Sequence, residues 1–158
     1  MAIDTPHPVK IRRTHLALFV TDPYASASWY QEVLGMEITA RDKEAVFLSF
    51  GKKHHDIALM KADFTGNHVG RGSINMQHYG LEIAGGIEEL RRLYGMLLRK
   101  KVPVVKVRDH KVGYGVYFSD PDGHRFEFFC ELIADDEEGK QVLNIYNGPS
   151  DPLTLDPL

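Results

Sequence analysis

A chain of 158 residues, 43% hydrophobic and 26% charged, is long enough for one well-packed domain and short for two independent ones. Its formal net charge of −3 shows no basic excess that would point to nucleic acid. The single cysteine, Cys130, excludes an intrachain disulfide and fits a reducing cytoplasm, and the first residues hold no apolar run of signal-peptide or membrane-helix length. A soluble, cytoplasmic protein with no membrane partner is expected.

Residues 16–20 read as a buried strand, entered through Thr14 and His15 and ended by Thr21-Asp22-Pro23. A helix starts there, with Asp22 as N-cap, Pro23 at the first position, Ala27, Tyr30 and Leu34 on one face, and Gly35 as the stop. Strands follow at 36–41, 45–50 and 55–61, separated by the polar turns Asp42-Lys43-Glu44 and Gly51-Lys52-Lys53. The unit is βαβββ. After a glycine-rich connection at 63–73 the pattern restarts with a strand at 74–83 around His78.

Gly85-Gly86 leads into a second helix with Ile87, Leu90, Tyr94, Leu97 and Leu98 on one face. Glu88 and Glu89 lie in its first turn and Arg99, Lys100 and Lys101 in its last, as the helix dipole favours. Strands at 104–108, 114–119 and 125–131 complete a second βαβββ unit. The expected fold is α+β: modules 10–62 and 74–133 form one domain over 10–133, with a curved mixed sheet around a cleft. An N-terminal tail (1–9) and an acidic C-terminal tail (134–158) flank it.

Each module opens on a histidine, His15 or His78, in the same phase relative to its helix. Glu127 sits among Phe126, Phe128 and Phe129, where an ionised carboxylate is costly unless a cation or strong donor compensates. Alternation puts Arg125, Glu127 and Phe129 on one face and Phe126, Phe128 and Cys130 on the other. It likewise groups His15 with Ala17 and Phe19, and His78 with Gly80 and Glu82. The small neighbours leave volume beside both imidazoles. His15, His78 and Glu127 therefore form a candidate two-histidine, one-carboxylate metal set, the arrangement of non-haem Fe(II) oxygenases. Singly, each is better explained by a hydrogen-bonded core histidine or an ion pair; it is their shared phase that favours the metal.

His55, His110 and Tyr117 are candidate acid/base groups, against plain readings as a strand end, a turn residue and a core aromatic. His7, His68 and His124 read as surface residues.

The paired modules and the His15, His78, Glu127 set resemble the vicinal oxygen chelate superfamily, and within it the type I extradiol ring-cleaving dioxygenases. The most specific likeness is His110, five residues, Val116-Tyr117, two residues, Asp120-Pro121-Asp122-Gly123, three residues, Glu127; Arg108 departs from it, where a small or aliphatic residue is usual. The resemblance implies Fe(II), with Mn(II) as the alternative, held by His15, His78 and Glu127. It implies an aromatic diol and dioxygen as substrates, with His55 moving a proton and His110 and Tyr117 hydrogen-bonding substrate and oxygen. A homodimer or higher homo-oligomer is expected. Glyoxalase-type lyases and isomerases and fosfomycin-type thiol transferases share the scaffold and are the alternatives; a non-enzymatic resistance protein of the bleomycin-binding kind would lack the metal set.

Overall fold

The computed structural model describes residues 12–62 and 76–158. The expected N-terminal tail, the connection at 63–73, and His7 and His68 lie outside the described residues. The chain divides into two compact units, Met1–Thr65 and Gly66–Leu158, and each carries its own mixed sheet.

In the first unit, β1 (Leu16–Val20), β2 (Glu37–Arg41), β3 (Ala45–Ser49) and β4 (Ile57–Lys61) lie in the order β1-β4-β3-β2, with β1 parallel to β4 and the other pairs antiparallel. Helix α1 (Pro23–Leu34) forms where its capping residues dictate. The Asp22 carboxylate accepts from the Tyr24 and Ala25 amides at 2.9 and 3.1 Å, satisfying two of the donors that a helix start leaves open. Gly35 ends the helix at φ 66°, a left-handed conformation that costs glycine little. Ala27 and Tyr30 are fully buried, as are Val46, Leu48, Ile57 and Leu59 of the sheet. The fourth strand starts at Ile57, two residues later than its pattern suggested. The reason is local: Arg13 binds the His55 carbonyl and lies 2.9 Å from the Asp56 carboxylate, and Asp56 accepts from the Phe50 amide at 2.9 Å, so these residues staple a turn.

The second unit repeats the plan. β5 (Tyr79–Glu82), α2 (Gly86–Arg99), β6 (Val104–Asp109), β7 (Gly113–Ser119) and β8 (Arg125–Glu131) give the sheet order β5-β8-β7-β6, with β5 parallel to β8. β5 begins at Tyr79, so His78 stands just before the strand rather than inside it: Tyr79 pairs with Phe126, and β8 has only Arg125 before that. Leu90 and Leu97 bury the apolar stripe of α2, whereas Ile87 and Leu98, expected on that face, are exposed. Phe118, Phe126 and Phe128 pack against one another beneath the sheet, and buried Cys130 joins them on that face; burial pushes its thiol up.

Residues 134–158 are more than the tail the composition suggested. They form α3 (Asp136–Ile145), capped by Asp135 through the Glu138 amide at 2.8 Å, and β9 (Asp151–Pro152), which adds to the β6 edge. The signal was present in the sequence, because an aspartate three residues before a glutamate is a helix-start pattern. Among the described residues no helix is long and apolar enough to cross a membrane.

Candidate active site

The second unit brings four of the six candidate residues together. Glu127 is buried, and its carboxylate reaches His78 Nε2 at 3.2 Å through one oxygen and His110 Nε2 at 3.6 Å through the other. Its seat is made by two glycines. A Cβ on Gly115 would fall onto Glu127 Oε1 and lie 3.0 Å from its carboxyl carbon; a Cβ on Gly80 would lie 3.5 Å from Oε2 and 3.2 Å from the Phe129 ring. Gly80 was expected to leave room on the His78 face. Gly115 had been given no role, and only the cross-strand register reveals it.

The two imidazoles are held differently. His78 Nδ1 bonds the side-chain oxygen of Gln77, a partner absent from the sequence reading. An amide oxygen only accepts, so Nδ1 donates to it and Nε2 is the ring atom that faces Glu127. Two ligands at about 2.1 Å from one cation and at right angles to it stand about 3 Å apart. The His78 and Glu127 atoms thus have the spacing of two ligands sharing an ion, with the supporting hydrogen bond that metal-bound histidines need.

Tyr117 lies opposite Glu127 in the β7–β8 ladder, and its hydroxyl is 3.0 Å from His110 Nε2. Burial pushes its phenol far above the ordinary value, and the hydrogen bond and negative charge of Glu127 add to this, against the smaller opposing charges of Arg108 and Arg125. Tyr117 is therefore a hydrogen-bond donor at neutral pH and no base. Lys106 Nζ sits 4.4 Å above its ring. The Asp120–Gly123 turn that joins the two strands is closed by its own hydrogen bonds: Asp120 accepts from the amides of Asp122 and His124 at 3.0 and 2.8 Å, and its carboxylate lies 2.8 Å from the His124 ring nitrogen. His124 thus belongs to the turn's own bonding and is no free surface residue.

The first unit holds His15 and His55. Their rings meet edge to face at 4.9 Å, and His54 Nδ1 and His55 Nδ1 share a 2.7 Å hydrogen bond. Desolvation lowers the His55 pKa, and the charges of His54, His15 and Arg13 lower it further against the pull of Asp56. His55 is thus a neutral imidazole near pH 7, able to take up a proton. The face that His15 shares with Ala17 and Phe19 is open, Phe19 being 73% exposed.

Among the described residues no group of three His, Cys, Asp or Glu side chains forms a ready-made metal site. The second unit brings His78 and Glu127 within 3.2 Å of each other, and His15 is described only within its own unit. A cavity of about 490 Å³ also lies in the second unit, lined by Glu82, Glu131, Asp136 and Lys140 among others, and it includes none of the candidate residues.

Comparison with known proteins adds three findings. The family model described as "Glyoxalase/Bleomycin resistance protein/Dioxygenase superfamily" matches residues 12–128. Among curated proteins, the metallothiol transferase FosB of Lysinibacillus sphaericus is 24% identical over 77% of this chain and 83% of its own length. The biphenyl-2,3-diol 1,2-dioxygenase 2 of Rhodococcus globerulus is 25% identical over 91% of this chain and 76% of its own. Among solved structures, the fosfomycin resistance protein FosX of Listeria monocytogenes superposes with a TM-score of 0.62 at 20% identity, covering 83% of this chain and 98% of that one, a likeness of fold.

Proposed function

The chain belongs to the glyoxalase/bleomycin resistance protein/dioxygenase superfamily, and from that premise we propose that it cleaves a catecholic substrate beside its two hydroxyls, using dioxygen. Both oxygen atoms enter the ring-opened product. His15, His78 and Glu127 would hold the metal, Fe(II) or alternatively Mn(II), and that ion would supply the coupling between diol and dioxygen.

The observation that carries this reading is the Glu127–Tyr117–His110 arrangement. A carboxylate with its histidine at ligand spacing stands directly beside a phenol kept protonated and a second histidine 3.0 Å from it. Tyr117 donates to a substrate or dioxygen oxygen. His110 Nε2 accepts, orienting the diol through its hydroxyl. His55, neutral near pH 7, takes the proton that the second catechol hydroxyl must lose. Arg108 and Arg125 bring positive charge to this face, which favours the catecholate over the neutral diol.

The likeness to the metallothiol transferase supports a second reading, metal-dependent addition of a thiol to a fosfomycin-like substrate. Oxygen uptake decides between them. The Fe(II)-loaded protein is expected to consume dioxygen with at least one catechol of a panel. Silence across the panel, with thiol consumed in the presence of fosfomycin, would overturn the dioxygenase reading.

A further inference from the structure

The residues after α3 run along the edge of the second sheet and contact His110 on the side away from Tyr117. The Pro149 carbonyl lies 2.7 Å from His110 Nδ1. Asp151 and Pro152 then pair with Asp109 and Arg108, the Leu153 amide donates to the Val107 carbonyl at 3.2 Å, and Lys111 Nζ bridges the Asp109 and Asp151 carboxylates at 3.0 and 3.2 Å.

Farther on, the segment is tied to α2. Arg91 Nε donates to the Asp156 carbonyl at 2.9 Å, the Leu158 amide donates to the Arg91 carbonyl at 3.1 Å, and Arg99 donates to the Leu158 oxygen at 2.8 Å. The backbone of Leu158 lies directly against Gly95. A Cβ there would sit 2.8 Å from the Leu158 carbonyl carbon, closer than real atoms approach. A glycine in the middle of a helix weakens it. At Gly95 its place is explained by the segment that docks on it.

We infer that Pro149–Leu158 is a positioning strap that sets the tautomer of His110. A carbonyl can only accept, so in the neutral ring Nδ1 carries the proton and Nε2 is left as an acceptor on the side of Tyr117. Free neutral imidazoles favour the opposite tautomer, with the proton on Nε2. In that form Nε2–H could only donate, to the Tyr117 oxygen or the Glu127 carboxylate, and could not accept from a substrate hydroxyl. Pro149 is thus a positioning residue, acting through His110 by its backbone oxygen. The consequence for turnover rests on the proposed dioxygenase reading; the tautomer does not.

The test is nitrogen-15 NMR of the histidine rings in the full-length chain at alkaline pH, where imidazoles are neutral, with His110 assigned by its loss in His110→Gln. The parent is expected to show His110 protonated on Nδ1. Gly95→Ala strengthens the helix while expelling Leu158, and Arg91→Ala/Arg99→Ala removes the side-chain ties without touching the helix backbone. Either variant is expected to move the His110 tautomer ratio at least about tenfold toward Nε2–H, the double variant serving if Gly95→Ala does not fold. Catechol-dependent kcat should fall about tenfold at unchanged metal content, the effect usual for groups that orient an active-site imidazole. Nδ1 protonation that persists in both variants overturns the strap, whatever the activity. The expected tautomer shift in a protein whose parent takes up no oxygen supports the strap and overturns the dioxygenase reading.

Discussion

The two modules share not only an element order but a register, and they differ where the chemistry lies. Leu16 pairs with Ile57 as Tyr79 pairs with Phe126, and Phe47 faces Ala58 as Tyr117 faces Glu127. A β-bulge interrupts both outer ladders at the matching place, between Ile38 and Ala40 and between Val104 and Lys106. Carried through this register, Gly80, Gly115, Tyr117 and Glu127 of the second module correspond to Ala17, Ala45, Phe47 and Ala58 of the first. One module holds a carboxylate, a hydroxyl and the two glycines that make room for them; its twin fills the same volume with methyl groups and a ring. At these four positions the first module carries only apolar groups, while it keeps His15 where the second has His78, so it serves as an internal control for the carboxylate and the hydroxyl alone.

Rewriting the second module toward the first breaks that contrast in steps. Gly115→Ala should have the largest effect, because the added Cβ displaces the Glu127 carboxylate. We expect metal affinity and turnover each to drop by about 10- to 100-fold or more, measured as iron bound per chain and oxygen uptake. Full metal occupancy in this variant would mean that Glu127 is not a ligand. Tyr117→Phe removes one hydroxyl and keeps the ring, so iron content should be retained while kcat falls about 10- to 100-fold; unchanged kcat would reduce Tyr117 to a core aromatic like Phe47.

The smallest effect belongs to the first module, whose β3–β4 turn is stapled by charge. Burial alone would raise the Asp56 pKa, but the Phe50 amide and Arg13 outweigh it and hold the carboxyl below the usual range. Its stabilisation is therefore present above the unfolded carboxylate pKa and is lost as pH falls through the depressed folded value. Asp56→Asn should cost about 1–2 kcal/mol in urea unfolding at neutral pH, and the gap to the parent should close in acid. A gap that persists in acid would show the staple to be steric and not electrostatic.

Much of the fold could be read from the residues, because the signals were local. Asp22-Pro23, Gly35, and the alternation of Phe126, Phe128 and Cys130 each act within a few residues of themselves. What escaped the sequence depends on partners far along the chain. The role of Gly115 comes from a neighbouring strand, Gln77 matters only once His78 is turned toward Glu127, and the Pro149 contact spans 39 positions. The elements of the tail escaped for another reason: its acidic, proline-containing composition showed no clear element, while the Asp135 cap and the edge offered by β6 form α3 and β9. For the metal set, the sequence suggested His15, His78 and Glu127, and the second unit places the latter two 3.2 Å apart.

The β6–β7 hairpin also bears on how such a site could arise. In the first module Asp42 and Ala45 are linked by Lys43-Glu44 alone, whereas their counterparts Arg108 and Gly115 are separated by Asp109 to Tyr114. His110 lies within that longer tip and has no equivalent in the twin. Glu127 and Tyr117 stand where the first module has Ala58 and Phe47, whereas His110 sits in the longer tip, whose Asp109 pairs with β9 alongside Arg108. Here the tip's histidine is held from outside the hairpin, by the Pro149 carbonyl beside the Asp109–Asp151 pairing, so the extra length is tied down by a segment 39 positions further along the chain.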